Sequence, residues 1–361
     1  YQSIKEELMD QFNVYKDMKA RTNGEIYIGV VGPVRTGKST FIKRFMNLMV
    51  LPNIEDENDR NRANDELPQS SSGKTIMTTE PKFVPNEAVS IKTEEGIELN
   101  VRLIDCVGYM VEGATGHMEG EEERLVKTPW FDYEIPFTKA AAIGTKKVIT
   151  EHSTIGVVVT CDGSFGEIAA KQYEPAEEET IKQLKALKKP FVVLLNTIHP
   201  YSESTKQLAA EKEEKYQTKV LPMNLEQMKK EDIYEIIKSV LMEFPISSIG
   251  FYVPRWTEML KKDHPLKMEL LQMARDVITE KTTMRDIYEE QEKEYEYITG
   301  QKLESVAMDS GKVVITVKVG DVYYYEFLSE TTGMEIRNEY EFIKIRGELA
   351  KKKKEHEEVE E

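Results

Sequence analysis

The chain has 361 residues, enough for two domains that each bury a core, and its composition of 40% hydrophobic and 32% charged residues is globular rather than disordered. Its 49 Lys and Arg residues are outnumbered by 65 Asp and Glu residues, and the net charge of -16 disfavours nucleic acid and anionic lipid as direct partners. No apolar run approaches the roughly 20 residues that span a bilayer, and no secretory signal opens the chain.

Hydrophobic periodicity predicts alternating helices and strands over the first two thirds of the chain. In chain order, the predicted elements are a helix over 1–22, a strand over 25–32, a helix over 38–51, strands over 83–92 and 97–105, a helix over 138–151, a strand over 154–163, a helix over 175–189 that begins at Pro175, a strand over 190–196, a helix over 203–217, and a helix over 225–243 with Asn224 and Gln227 as its capping box. Residues 53–75 are polar and are predicted to form a mobile loop, and 109–137 form a long glycine-containing segment.

The first predicted helix carries apolar side chains at Ile4, Leu8, Phe12 and Tyr15, which lie on one face at helical spacing. Such a face packs against a neighbouring domain or binds a membrane surface, and we favour packing.

Residues 32–40 read "GPVRTGKST" and match G-x-x-x-x-G-K-[ST], the pattern of loops that bind nucleotide phosphates. The sequence therefore predicts three domains: an N-terminal helix over 1–24, a nucleotide-binding domain over 25–244, and a smaller α/β domain over 245–361. Two consecutive antiparallel strands between 83 and 105 favour the GTPase-like branch of P-loop proteins over the all-parallel branches. The predicted fold is therefore an α/β P-loop NTPase of GTPase-like (TRAFAC-type) topology.

After Pro245 the pattern changes. We predict a strand near 247–253, Lys- and Glu-rich helices through about 298, and an alternating strand over 312–319. Residues 322–332 fit either a strand or a helix, and Asp321 as a cap and Gly333 as a stop favour a helix. A charged helix follows towards the end of the chain.

The segment "GPVRTGKST" at 32–40 matches the P-loop pattern G-x-x-x-x-G-K-[ST] and lies between a predicted strand and a predicted helix. Its two glycines let the backbone curl around phosphate oxygens, its lysine places a charge at the β/γ bridge, and its serine offers a hydroxyl to Mg²⁺. The predicted nucleotide contacts of this segment are Gly32, Arg35, Thr36, Gly37, Lys38, Ser39 and Thr40.

A second predicted site is "VRLIDCVG" at 101–108, where an apolar strand ends at Asp105. A carboxylate at this end of a strand lies beside the P-loop and binds Mg²⁺ through water. Gly108 follows three residues later, and its N–H is expected to meet a γ-phosphate.

Hydrolysis requires a group that orients water and charge that stabilises the transferring phosphoryl group. Thr78 and Thr79 precede the first hairpin strand, where a threonine senses the γ-phosphate and Mg²⁺, and Thr79 is a predicted metal ligand. Tyr109 occupies the position after Gly108, so a water-orienting glutamine is absent there. Arg35 is a candidate internal arginine finger, with a solvated loop charge as the alternative. Slow turnover is therefore expected.

The segment "LLNTIHP" at 194–200 indicates which base is bound. GTPases place Asn-Lys-x-Asp here, because a carboxylate accepts both the N1–H and the 2-amino group of guanine. This chain keeps Asn196, a predicted nucleotide contact, but has Thr197 for the lysine and His199 for the acid. Loss of the acid weakens the binding of GTP and removes a repulsion between the carboxylate and N1 of adenine. The sequence therefore favours binding of ATP. The alternative is that the base is read elsewhere.

Cys106 and Cys161 each follow a predicted buried strand and fit a reducing cytosolic setting, although pairing between them stays open. Two thiols and five histidines make thiol-based metal binding improbable.

The chain resembles the stage IV sporulation protein A family, the spore-coat morphogenetic ATPases of endospore-forming Firmicutes. The resemblance rests on "YIGVVGPVRTGKSTFIKRFM", "DELPQSSSGKTIMTTEPKFVPN", "RLIDCVGY", "EHSTIGVVVTCDG" and "KPFVVLLNTIHPY". It is strong over the nucleotide domain and looser over 245–356. Full-length members carry a further C-terminal domain, which this sequence is expected to lack.

The resemblance implies that the chain hydrolyses ATP with Mg²⁺, using Lys38 for phosphate, Asp105 for Mg²⁺ and hydrolysis, and Thr78 or Thr79 as the sensor. It also implies self-polymerisation into the basement layer of the coat, in the mother-cell cytoplasm at the outer forespore membrane surface. Expected partners are a small amphipathic membrane-anchoring peptide and other coat proteins, so the membrane is contacted only indirectly. The alternatives are a GTPase of ribosome-assembly or signalling type and a non-catalytic scaffold stabilised by nucleotide.

Overall fold

The computed structural model describes residues 13–68, 80–93, 96–114, 117–119, 122–165, 168–288 and 293–360. They form two compact units. The first contains the described residues up to Pro245, with Thr283–Arg285 and Met308–Gly311, and the second contains the remainder.

The first unit is built around a six-stranded sheet. Its helices and strands are α1 (Val14–Thr22), β1 (Glu25–Val31), α2 (Lys38–Phe45), α3 (Glu57–Asp65), β2 (Lys82–Lys92), β3 (Glu98–Asp105), β4 (Met118–Glu119), β5 (Glu122–Glu123), β6 (Leu125–Thr128), β7 (Phe131–Pro136), α4 (Phe137–Lys147), β8 (Ile155–Cys161), α5 (Ala170–Ala186), β9 (Phe191–Asn196), α6 (Glu203–Tyr216), β10 (Val220–Met223) and α7 (Lys230–Met242). The strand order is β10-β9-β8-β1-β3-β2. Only β2 is antiparallel to its neighbour, β3, which confirms the predicted GTPase-like topology.

The core of this sheet follows from the sequence of its central strands. Every residue of β8 and β9 is buried, as expected for parallel strands covered by helices on both faces. Parallel strands end at the same edge of the sheet, so β1, β8, β9 and β3 deliver the residues that follow them to one place.

The predicted first helix is confirmed from Val14 onward, while Ile4, Leu8 and Phe12 lie outside the described residues. The rings of Tyr15 and Tyr234 pack edge to face with their centroids 6.0 Å apart. This contact places α1 against α7, as the packing alternative requires.

The predicted loop over 53–75 is wrong at residues 57–65, which form α3. Its sequence is almost entirely polar, so no apolar period signals it. The helix is instead started by the side chain of Asp56, which accepts a hydrogen bond from the backbone N–H of Asp59 at 2.9 Å. Residues 69–75 of that prediction lie outside the described residues.

Three other predictions for this unit need correction. The 109–137 segment contains the hairpin β6–β7. The helix α5 begins at Ala170, not at Pro175, and the buried side chain of Tyr173 extends its apolar face upstream of that proline. Asn224 caps only a short 3₁₀ turn, and α7 begins three residues after that turn ends.

The second unit contains β11 (Ser248–Tyr252), α8 (Pro265–Glu280), β12 (Ile298–Ala307), β13 (Lys312–Val319), α9 (Asp321–Thr332) and α10 (Glu339–Glu360). Its sheet has the order β11-β13-β12, with β11 parallel and β12 antiparallel to β13, which confirms a smaller α/β unit. The strand β12 was missed, because it lies at the sheet edge and carries too many polar residues to show a clear alternation. Gly333 ends α9 at φ +67° as predicted, but Gly320 rather than Asp321 is its N-cap.

Among the described residues, no helix is both long and apolar enough to cross a membrane. Cys106 and Cys161 are buried and unpaired with each other.

Candidate functional site

The P-loop curls between the end of β1 and the start of α2. Gly32 has φ +125°, and a Cβ there would lie 2.4 Å from the carbonyl oxygen of Val159. Gly37 has φ +99°, and its Cβ would lie 2.6 Å from Nδ2 of Asn196. Both positions therefore require glycine on two grounds, the backbone conformation and the space available.

The ammonium of Lys38 lies inside this curl. Its Nζ donates to the carbonyl oxygens of Gly32, at 3.4 Å, and of Pro33, and the residue is only 5% exposed. Burial lowers the pKa of this ammonium below its ordinary value, because water no longer solvates the charge. A phosphate in this place would restore the lost solvation, so the buried lysine favours an anion.

The remaining predicted P-loop contacts occupy different environments. Thr36 is buried and its hydroxyl donates to the carbonyl oxygen of Pro33 at 3.0 Å. Thr40 is half-buried one residue after Ser39 in α2. Arg35 is exposed and has φ +62°, a left-handed conformation that is strained for a non-glycine residue.

The hydroxyl of Ser39 and the carboxylate of Asp105 lie together at the open end of the P-loop. Ser39 Oγ donates to Asp105 Oδ2 at 2.7 Å, and Asp105 Oδ1 is buried with no side-chain donor among the described residues. Burial raises the pKa of Asp105, while the Ser39 hydrogen bond and the charge of Lys38 oppose the rise. Hard oxygen donors with an unmatched carboxylate oxygen fit Mg²⁺, which binds one or two protein ligands and completes its shell with water and phosphate. The described residues contain no cluster of three or more Cys, His, Asp or Glu that would form an all-protein metal site.

The turn that follows Asp105 packs directly on the P-loop. A Cβ at Gly108 would lie 2.1 Å from the carbonyl oxygen of Gly32 and 2.7 Å from Nζ of Lys38. The backbone of Tyr109 then donates to Gly32 at 3.3 Å and accepts from Val34 at 3.0 Å. Burial raises the pKa of the Tyr109 phenol to about 12. The structure thus brings Gly108 to the lysine, and its contact with a γ-phosphate stays a prediction.

Asn196 braces the P-loop from the end of β9. Its Nδ2 donates to the carbonyl oxygen of Thr36 at 3.0 Å, and its Oδ1 accepts from the backbone N–H of Leu225 at 3.3 Å. Both halves of the amide are therefore used inside the protein, and its predicted contact with nucleotide stays a prediction. The brace places the segment that begins at Thr197 beside the P-loop, with His199 exposed.

The structure brings Gly32, Lys38, Ser39, Asp105 and Gly108 together, and it sets Asn196 behind the loop. Thr78 and Thr79, the predicted sensor residues, lie outside the described residues. Sequence reasoning did not single out Asp162, although an acid directly after the last buried residue of β8 was a usable signal.

A P-loop in this sheet order, with a Ser–Asp pair at its open end, defines a P-loop nucleotide-binding protein of the GTPase-like class. The family description "Stage IV sporulation protein A, ATPase domain" matches residues 9–245, and the description of the middle domain of the same family matches 246–361. The chain therefore belongs to the stage IV sporulation protein A family and is a sporulation protein with an ATP-binding ATPase domain.

Three relatives are proteins named stage IV sporulation protein A. The one from Clostridioides difficile (strain 630) is 47% identical over 350 residues, which cover 96% of this chain and 71% of that protein. Those from Bacillus anthracis and Bacillus subtilis (strain 168) are 44% and 43% identical over 353 residues, which cover 97% of this chain and 72% of each protein. Among solved structures, an SsGBP variant aligns with 14% identity and a TM-score of 0.34 over 65% of this chain and 67% of that chain.

Proposed function

We propose that the chain binds and slowly hydrolyses ATP with Mg²⁺, and that hydrolysis drives its assembly into the basement layer of the spore coat. The observation that carries the proposal is the buried Lys38 beside the Ser39–Asp105 pair, in a chain that has no acid at the guanine-reading position. Family membership supports the ATPase reaction.

The chemistry follows from the positions of three side chains. Lys38 would bind the β- and γ-phosphate oxygens and balance the charge that develops there. Ser39 and Asp105 would hold Mg²⁺, which neutralises phosphate charge when it is bound. Arg35 and a threonine at 78 or 79 would complete the transition-state contacts. Turnover would be slow, because Tyr109 replaces a water-orienting glutamine.

Assembly would place the protein in the mother-cell cytoplasm, on the outer forespore membrane surface. Its partners would be other copies of itself, other coat morphogenetic proteins and a small amphipathic membrane-anchoring peptide. The net charge of -16 supports an indirect contact with the membrane and no contact with nucleic acid. The second unit would act as a contact module of the polymer.

Sedimentation of the chain with ATP and with a non-hydrolysable ATP analogue tests this proposal. Pelleting that depends on ATP hydrolysis supports it. Equal pelleting with ATP and with the non-hydrolysable analogue would identify a scaffold that needs only bound nucleotide. In a parallel assay of phosphate release, faster turnover of GTP than of ATP would identify a GTPase instead.

Replacing His199 with aspartate should shift the preference of the site towards GTP. The new carboxylate accepts the two parallel donors of guanine and opposes N1 of adenine, and paired hydrogen bonds of this kind discriminate between bases by about 1–3 kcal/mol. We therefore expect the ratio of the ATP and GTP dissociation constants to change by about 5- to 150-fold, measured by competition with a fluorescent nucleotide. His199→Asn is the matched control, because asparagine has nearly the same shape as aspartate but no charge. An unchanged ratio in His199→Asp would show that the base is read elsewhere.

A further inference from the structure

One carboxylate joins the loops that follow β8 and β9. Asp162 Oδ2 accepts a hydrogen bond from the hydroxyl of Thr197 at 2.6 Å. Its Oδ1 accepts from the hydroxyl of Ser164 and from the backbone N–H of the same residue, at 2.9 Å for the latter. Asp162 therefore holds two hydroxyl groups that belong to two different loops.

Each of these hydroxyls in turn holds a backbone N–H of the segment after Asn196. The hydroxyl of Ser164 accepts from Ile198 at 3.2 Å, and that of Thr197 accepts from His199 at 3.1 Å. A hydroxyl that donates to a carboxylate becomes a better acceptor, so within each arm the two successive hydrogen bonds strengthen one another. Thr197 is fully buried, and its own N–H donates to the carbonyl oxygen of Met223 at 3.0 Å. Residues 197–199, here called the base loop, are thus fixed at three successive backbone N–H groups.

The position of the base loop links this network to nucleotide. The loop starts directly after Asn196, whose side chain bonds Thr36 of the P-loop. Ligands of such sheets bind at the carboxyl ends of the strands, which is where the base loop lies. In this chain Thr197 occupies the position of a lysine that would otherwise face the nucleotide, and it turns inward to Asp162 instead.

We propose that Asp162 is a positioning residue that orders the base loop for adenine before nucleotide binds. This inference rests on the proposed function, in which the base loop reads the base. If the loop samples other conformations, the apparent affinity falls in proportion to the ordered fraction, so a fall of that fraction to about one tenth weakens binding about tenfold. The phosphate contacts of Lys38 do not depend on this order.

Asp162→Asn tests the proposal, because the amide keeps the shape but its Nδ2 cannot accept a hydroxyl hydrogen. The probes are Mg²⁺ with ATP and Mg²⁺ with inorganic tripolyphosphate, which has no base. We expect the dissociation constant and the KM for ATP to rise about tenfold, with tripolyphosphate binding and kcat at saturating ATP changed less than about twofold. Asp132→Asn, at an exposed residue of the β6–β7 hairpin, is the matched control.

Thr197 supplies a second pair of variants in case Asp162→Asn fails to fold. Thr197→Val keeps nearly the same volume but removes one arm of the network, so it should weaken ATP binding as Asp162→Asn does. Thr197→Ser keeps the hydroxyl and should bind ATP with close to wild-type affinity. Equal losses of affinity for ATP and for tripolyphosphate would show that Asp162 only supports the fold. Unchanged ATP binding in both Asp162→Asn and Thr197→Val would also overturn the proposal. A wild-type chain that binds tripolyphosphate but not ATP would instead refute the proposed function itself.

Discussion

Lys38→Ala is expected to lower ATP turnover by about 10²–10³-fold, equivalent to about 2.7–4 kcal/mol in the activation barrier. The lysine is the buried cation of the P-loop, and its Nζ donates to two loop carbonyl groups. In a dry site a charge of this kind acts without the reorganisation that water requires. The measurement is phosphate release at saturating ATP.

The stability of the variant separates a lost contact from a lost fold. Because burial lowers the pKa of Lys38, keeping it charged costs folding free energy at any pH below its ordinary pKa. That cost diminishes as the pH rises through the lowered pKa. Lys38→Ala removes this cost but also removes the hydrogen bonds to Gly32 and Pro33. These effects oppose one another, so we expect the thermal midpoint of the nucleotide-free chain to change little, while stabilisation by Mg²⁺ and ATP disappears.

Lys43→Ala is the matched control, since Lys43 lies on the same helix and is half-buried outside the P-loop. Its turnover should stay within about twofold of the wild type. Turnover by Lys38→Ala at more than about one third of the wild-type rate would contradict the assigned role of Lys38.

Lys212→Met is expected to destabilise the first unit by about 3–5 kcal/mol. Glu177 of α5 is fully buried, and its Oε1 accepts from Lys212 Nζ of α6 at 2.6 Å. Its Oε2 accepts from the hydroxyl of Thr160 in β8. Without Lys212, the buried carboxylate loses its hydrogen-bonded cation, and most of the desolvation cost of that charge is no longer offset. Urea unfolding followed by circular dichroism measures the loss.

Two companion variants make this test specific. The double variant Glu177→Gln with Lys212→Met removes both charges and should recover most of the lost stability. Lys215 lies on α6, as Lys212 does, and forms a half-exposed pair with Glu178 of α5 at 2.6 Å. Lys215→Met breaks this pair and should cost at most about 1 kcal/mol. Equal losses of unfolding free energy in Lys212→Met and Lys215→Met would show that burial does not determine how much the Glu177–Lys212 pair contributes to stability.

The topology of the first unit and the location of its site follow from local patterns. The P-loop, the hairpin and the apolar strand that ends at Asp105 each consist of residues that are consecutive in the sequence. Each can therefore be recognised from its own local pattern. Strands that end at one edge of a sheet then bring Lys38 and Asp105 together without further information.

What could not be predicted depends on contacts between distant residues or on weak periodicity. Asp162 and Thr197 are 35 positions apart, and only the pairing of β8 with β9 makes them neighbours. Glu177 and Lys212 each fall on the apolar face of their helix, a signal that becomes a pair only after the helices pack. The missed α3 is polar except for Ala63, and its helix depends on its cap.

A calorimetric titration of the purified chain with ATP and with GTP, each with Mg²⁺, tests the central assignment most directly. We predict one saturable ATP site per chain, weaker binding of GTP, and loss of the ATP heat when Mg²⁺ is removed by chelation. A chain that takes up neither triphosphate, or one that binds GTP more tightly than ATP, would contradict it.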